Sequence, residues 1–252
     1  DIKMMFVRGF VRVFIIASLP WTARYISVKT INFAYWAIGP PPVTLSSGPL
    51  IAIYSISFLL ISDLSRYALH RVMHTVPLLW RLHQVHHSAE VLTPFTLYRL
   101  HPIEQALHTA RGLVVVGVCA GFFAWISYGK ATIWTLYGVP SVIIIFSLLG
   151  ANLRHSHVWL TYPVWLERVL ISPAQHQQHH DINPAGQQAN YGSMLAIWDW
   201  IYGTLKLSRE GRPDSFGLAL SDRSHNPQSL LSAILNPLIF SKTDSQEPIR
   251  TY

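Results

Sequence analysis

"GLVVVGVCAGFFAWISYGKATIWTLYGVPSVIIIFSLLGANL", residues 112–153, carries a single charge, Lys130, over a length sufficient to cross a bilayer twice. Read as Gly112 to Gly129 and Ala131 to Leu153, it is a tight hairpin of two transmembrane helices. Whatever precedes Arg111 and whatever follows Leu153 then lie on one side of the membrane. A third uncharged run, "VTLSSGPLIAIYSISFLLIS" at residues 43–62, reads as another span. Globular core helices seldom run this long without charge. The composition agrees, since 50% of the chain is hydrophobic and 12% is charged, about half the charged share of an ordinary soluble domain.

Sidedness follows from the basic residues. Arg66, Arg71, Arg81, Arg99 and Arg111 fall between the first span and the hairpin, and further Lys and Arg follow Leu153, while the hairpin tip offers only Lys130. The positive-inside rule puts both polar segments, 63–111 and 154–207, in the cytoplasm. The net charge of +7 is accounted for by this orientation and by anionic headgroups, without nucleic acid. The N-terminal stretch "MMFVRGFVRVFIIASLPW" reads as a further span within 4–28, or as a helix lying in the interface, with Arg8 and Arg12 snorkelling. "YWAIGPPP" ends it, because consecutive prolines cannot continue a helix. The chain opens on Asp1, as a trimmed chain would, with no small-residue cleavage site of a signal peptide. The expected fold is all-α, one integral-membrane domain over residues 1–252 with a C-terminal tail from 208, and its cytosolic helical cap carries a histidine-rich dimetal site.

That site is read from the histidines. "HRVMH" puts His70 and His74 at i and i+4, on one helix face, and "HQVHHSAE" adds His83, His86 and His87. Pro77 between them breaks the helix, so two short helices can converge. "HQQHH" supplies His176, His179 and His180 beyond the hairpin, on the same side of the membrane. Unpaired neutral imidazoles are costly to bury together, so eight in patterned groups on one face point to metal. An all-imidazole shell suits Zn, Cu, Fe or Ni and excludes Mg and Ca. Eight ligands exceed the four of a closed zinc site, which implies two ions.

His155 and His157, in "NLRHSH", and His101, in "RLHPIE", stand close enough to contribute. His108 and His225 read as ordinary residues. A ligating histidine needs its second nitrogen oriented by an acceptor, for which Glu90, Glu104, Asp181 and Asp199 are the candidates. Cys119 offers neither a disulfide nor a thiolate cluster. The Trp- and Tyr-rich "WDWIYGT" reads as interfacial anchoring or packing.

Taken in order, "HRVMH", "HQVHHSAE", "RLHPIE", "SPAQHQQHHD", "NYG" and "WDWIYGT" resemble the fatty acid hydroxylase and sterol desaturase superfamily over about Asp63 to Thr204. The resemblance implies a multi-pass membrane oxygenase with a non-haem di-iron centre held by His70, His74, His83, His86, His87, His155, His176, His179 and His180, with His101 and His157 secondary. It implies O2 as co-substrate, a lipid drawn from the bilayer, and an external donor of the reductase, cytochrome b5 or ferredoxin type. Zn can displace the iron on purification. The location is a bacterial inner membrane or the endoplasmic reticulum. The three residues between His70 and His74, where several lipid desaturases have four, favour the hydroxylase and sterol-oxidase branches. Two other readings stand beside it, a dizinc membrane hydrolase and a non-catalytic metal-binding membrane protein.

Overall fold

The computed structural model describes residues 1–41, 47–128, 130–131, 152–219, 226 and 229–239. Four helices set its frame: α1 (Ile2–Ala37), α2 (Ser47–Thr75), α3 (Pro77–His87) and α4 (Pro102–Ile126). Five short ones follow: α5 (Val164–Glu167), α6 (Pro173–His179), α7 (Pro184–Gln187), α8 (Ile197–Ile201) and α9 (Leu230–Leu235). Among the described residues no strand forms, and β pairing is limited to the bridges Leu170 to Leu195 and Asp181 to Phe216. The expected second arm of the hairpin, 131–153, lies almost wholly outside the described residues.

Two helices, over Gly48–Thr75 and Pro102–Ile126, are long and apolar enough to cross a membrane. They run antiparallel. Tyr54 meets Phe123 at one end, with ring centroids 4.9 Å apart, and at the other Arg111 donates to Ser62 O at 3.1 Å and to Ser65 Oγ at 2.8 Å. Between these ends lies the core of Leu50, Phe58, Val115, Cys119 and Ala120. The C-terminal end of α2 and the N-terminal end of α4 therefore open into the same layer, where the histidine boxes sit.

The N-terminal segment extends beyond the stretch singled out in the sequence. It is one helix of 36 residues, about 54 Å long at 1.5 Å per residue, rather than a span confined to 4–28. It runs parallel to α4. Ser27 Oγ donates to Gly117 O at 3.0 Å, and further along Trp125 Nε1 donates to Gly39 O at 3.0 Å. Gly117 and Gly121 make this approach possible, since a Cβ on Gly121 would stand 2.5 Å from Ser27 O and 2.9 Å from Ser27 Cα. Nor does Arg8 snorkel: it donates to Leu97 O at 2.6 Å and covers the Tyr98 ring. A guanidinium with a carbonyl partner in the cap has no need to reach for water.

Pro77 acts as expected. Val76 is extended, as a residue before proline must be, and α2 ends at Thr75 while α3 begins at Pro77. The chain thus turns beneath α2 and α4 instead of continuing in line.

Gly121→Val is expected to destabilise the detergent-solubilised chain by about 1–3 kcal/mol, because Ser27 backbone cannot yield. Gly112→Ala, where nothing lies within 4 Å of the added Cβ, should leave the thermal midpoint unchanged or slightly raised. Equal midpoints in the two variants would contradict the close packing of α1 on α4.

Candidate metal centre

Nine histidines gather into two clusters. His70, His74, His83, His87 and His179 form one, and His86, His155, His176 and His180 the other; within each, one nitrogen per ring lies within 4.8 Å of all the rest. Both HxxHH boxes are divided between the clusters. In α3, His83 and His87 serve the first and His86 the second; around α6, His176 and His180 serve the second and His179 the first. Helical geometry accounts for this. Residues i and i+4 are about 40° apart around the axis, whereas i+3 and i+4 are about 100° apart, so one box can face two centres.

In four of the rings the second nitrogen is held by an oxygen acceptor. His70 Nδ1 donates to Tyr191 O at 2.8 Å, His179 Nδ1 to Ala189 O at 2.7 Å, His83 Nδ1 to Glu104 Oε1 at 2.7 Å and His86 Nδ1 to Arg99 O at 3.2 Å. A backbone carbonyl cannot donate, so His70, His179 and His86 keep the proton on Nδ1 and present a lone pair at Nε2, as does His83 opposite the Glu104 carboxylate. Those lone pairs face one another. His70 Nε2 lies 3.1 Å from His83 Nε2 and 3.0 Å from His179 Nε2, with no proton to place between them. The second cluster repeats the spacing, with His155 Nε2 at 3.2 Å from His86 Nε2 and 3.0 Å from His176 Nε2.

Such contacts repel unless a cation lies among them. Two nitrogens about 2.1 Å from one ion and about 90° apart would be about 3.0 Å from each other. His74 Nε2, both nitrogens of His87 and both of His180 are buried with no hydrogen-bond partner, again as ligands would be. Burial, with neighbouring imidazoles second, drives the pKa values of His86, His87, His176 and His180 well below the ordinary histidine value. Burial alone takes His83 to about 3. The rings are neutral at pH 7, the form that donates a lone pair.

The loops that place these rings are anchored by buried polar groups. Ser172 and Gln175 form a capping box at the start of α6, and Glu167 accepts from Ser172 Oγ at 2.8 Å and Ser208 N at 3.0 Å. Gln177 donates to Ser156 O and Val158 O, and Gln178 to Leu207 O and Gly211 O. Asp63, on α2, accepts from Met194 N, Leu195 N and Trp198 Nε1. Arg99 ties Val85 O and Ser88 Oγ at the end of α3 while its own carbonyl receives His86. None of these was a sequence candidate. The only signal for them was a run of glutamines and single charges inside apolar or histidine-rich segments.

Of the acidic candidates, Glu104 binds a clustered histidine directly. Asp199 acts one step removed: it accepts from Tyr191 N and Gly192 N, both at 2.8 Å, and so fixes the carbonyl that receives His70. Burial pushes its carboxyl up to about 6. Asp181 instead caps a turn through Asn183 N at 3.1 Å, and exposed Glu90 lies against Gly217.

The two secondary histidines lie outside both clusters. His101 caps α4, its Nδ1 accepting from Ile103 N and its Nε2 donating to Ile234 O, so both nitrogens are committed. His157 is exposed. His108, read as ordinary, reaches Glu104 at 3.8 Å, and His225 lies outside the described residues.

The described residues thus pair two helices apolar enough to cross a membrane with two imidazole clusters able to hold metal. A family model, fatty acid hydroxylase, matches residues 55–204, and the chain belongs to that family. Alkylglycerol monooxygenase of Homo sapiens is 30% identical over 148 residues, covering 59% of this chain and 29% of that protein. Ornithine lipid hydroxylase OlsE of Rhizobium tropici is 28% identical over 168 residues, 66% of this chain and 45% of that protein. Lathosterol oxidase of Mus musculus is 26% identical over 227 residues, 85% of this chain and 67% of that protein. The matched region spans about a third of the alkylglycerol monooxygenases. No solved structure matches the chain.

The depressed pKa values set the pH response of the metal-free chain. Above about pH 6.5 the rings are neutral both folded and unfolded, and contribute no pH dependence. Below it the unfolded chain takes up protons that the folded chain refuses, so stability falls, for His83 down to about pH 3, by up to about 1.4 kcal/mol per pH unit for each histidine. Thermal midpoints in detergent should therefore drop between pH 7.5 and 5. A flat profile would mean that the rings are not buried neutral.

Proposed function

We propose that this chain is a membrane-bound non-haem di-iron oxygenase that hydroxylates or desaturates a lipid, using O2 and electrons from a separate donor. The observation that carries this reading is the pair of clusters in which Nε2 atoms converge at 3.0 to 3.2 Å, those of His70, His83, His179 and His86 held as acceptors by the bonds at Nδ1. His70, His74, His83, His87 and His179 would hold one ion, and His86, His155, His176 and His180 the other. When bound, iron supplies what zinc lacks, the capacity to bind O2 and exchange electrons, which attack on an unactivated C–H bond requires.

The protein's own contribution is positional. Tyr191 O, Ala189 O, Glu104 and Arg99 O keep the proton of four rings on Nδ1, so that their inner nitrogens are held as acceptors. Near-complete burial of the rings, with His87, His179 and His180 fully enclosed, keeps water from the reacting centre. A dizinc hydrolase would need a general-base carboxylate beside an open metal position. Glu104 and Asp199 are instead committed to His83 and to backbone amides.

Membrane placement is part of the proposal. α2 and α4 cross the bilayer, and the histidine layer at their shared end lies in the cytoplasm with Arg66, Arg71, Arg81, Arg99 and Arg111. The chain forms one integral-membrane domain over residues 1–252, and the lipid reaches the clusters from the bilayer along the apolar faces of α1, α2 and α4. Alkylglycerol monooxygenase, ornithine lipid hydroxylase and lathosterol oxidase among the relatives support a lipid substrate and leave its identity open between sterol, acyl and related lipids.

Metal content per chain, measured after purification from iron-supplemented cells without chelators, tests the reading. Two irons are expected. His179→Ala and His86→Ala should each abolish lipid oxidation and lose metal from their own cluster, while exposed His157→Ala retains both ions. Full activity in both cluster variants, or iron-loaded protein that consumes no O2 with reductant and lipid present, would overturn it. Glu104→Leu, which strips His83 Nδ1 of its acceptor, should weaken metal binding by about 10–100-fold; unchanged affinity would remove Glu104 from the site.

A further inference from the structure

The "NYG" and "WDWIYGT" segments do more than anchor the chain. Together with Tyr67 of α2 they line up three phenol rings. The Tyr191 ring centroid lies 5.1 Å from that of His74, 5.6 Å from His179 and 5.7 Å from His70, against the five-histidine cluster. Tyr67 meets Tyr191 edge-on at 6.2 Å, and Tyr202 stacks on Tyr67 at 5.5 Å with the planes 17° apart. Tyr191 and Tyr67 are buried, whereas Tyr202 is 52% exposed with the Arg71 guanidinium over its ring. The row runs from the metal cluster to the surface with successive rings in contact.

The middle phenol has a built exit for its proton. Thr204 Oγ1 donates to Asp199 Oδ1 at 2.6 Å, which uses its only hydrogen. Tyr67 must then be the donor in its 3.0 Å bond to Thr204 Oγ1, and Arg71 donates to the Tyr67 oxygen at 3.3 Å. The direction of the chain is therefore Arg71 to Tyr67 to Thr204 to Asp199. A phenol gives up an electron readily only when its proton can leave with it, and stacking alone does not call for such an arrangement.

We propose that Tyr191, Tyr67 and Tyr202 form a one-electron relay that carries oxidising equivalents from the five-histidine site to the surface when O2 has been activated without a lipid to attack. The relay rests on the di-iron reading above. In the first step Tyr67 would give up one electron toward the five-histidine site across the Tyr191 ring, the iron held there when bound being the acceptor. The Tyr67 proton passes to Thr204, and the Thr204 proton to the Asp199 carboxylate. Tyr202 then returns one electron to Tyr67, which recovers its proton along the same path, while the Tyr202 phenolic proton goes to water. A soluble one-electron donor of the thiol or ascorbate class reduces Tyr202, and a proton from water restores it. Each cycle removes one oxidising equivalent that would otherwise attack the imidazoles.

The test uses the iron-loaded full chain in detergent, reduced and then given O2 without lipid in the presence of a nitroso spin trap, with adducts and oxidised histidines located by peptide mass spectrometry. The expected result is an adduct on Tyr202 and intact cluster histidines. Tyr67→Phe, which keeps the ring but has no proton to lose, should lose the Tyr202 adduct and accumulate oxidised histidine at equal iron content. Thr204→Val, which keeps all three phenols and removes only the hydroxyl that takes the Tyr67 proton, should behave in the same way. Tyr202→Phe alters only the exposed end, where folding is not at stake, and should also shift damage to the histidines. An undiminished Tyr202 adduct in the Tyr67 and Thr204 variants would overturn the relay. So would O2 consumption by the parent chain with oxidised histidines and no Tyr202 adduct, and either result would leave the oxygenase reading standing. Bound iron with no O2 consumption at all would overturn the oxygenase reading and the relay together.

Discussion

Everything in this structure depends on keeping nitrogen lone pairs aimed at one another. His70, His83 and His179 each spend the Nδ1 proton on an oxygen acceptor, which leaves three Nε2 lone pairs at 3.0 to 3.1 Å with nothing between them. In a buried, low-dielectric setting that contact is unfavourable, and a cation converts it into a coordination shell. The surrounding polar network, from the Ser172 capping box to the Asp63 and Asp199 loops, holds the backbone carbonyls in place and with them the tautomers.

The frame above the site follows from simple demands. α4 carries Gly117 and Gly121 where α1 crosses it and larger residues, among them Val115, Cys119 and Phe123, where α2 does, so one helix packs on both neighbours. Because α2 and α4 are antiparallel, the ends bearing His70 and His74 and bearing Glu104 meet in one layer. Pro77 then turns α3 beneath them, which brings His83 to within 2.7 Å of Glu104.

Much of this was legible in the residues. The i, i+3, i+4 spacings, the break at Pro77 and the apolar runs of α2 and α4 are local signals, and local signals survive tertiary packing. The division of each HxxHH box between two clusters was not legible, because it needs the angle between α3 and α6 as well as the spacing within each. His101 reads as a secondary ligand candidate and caps α4 in the structure, since sequence does not reveal that Ile103 N and Ile234 O would claim its two nitrogens. The N-terminal stretch reads as a span or an interfacial helix with Arg8 snorkelling, because sequence does not reveal that the partner of Arg8, Leu97 O, lies 89 residues away. Gln175, Gln177 and Gln178 carry no sequence signal beyond their place among the histidines, yet their side chains hold Glu167 O and Lys206 O, Ser156 O and Val158 O, and Leu207 O and Gly211 O.

The measurement that bears most directly on the central claim is iron K-edge X-ray absorption on the metal-loaded chain in detergent. If the convergent lone pairs are a coordination shell, the first shell should be nitrogen at about 2.1 Å with the outer-shell scattering of several imidazole rings, and His179→Ala should reduce that ring scattering. A first shell dominated by oxygen without imidazole scattering would contradict the account, because the nine buried rings would then be packed together for a reason other than metal.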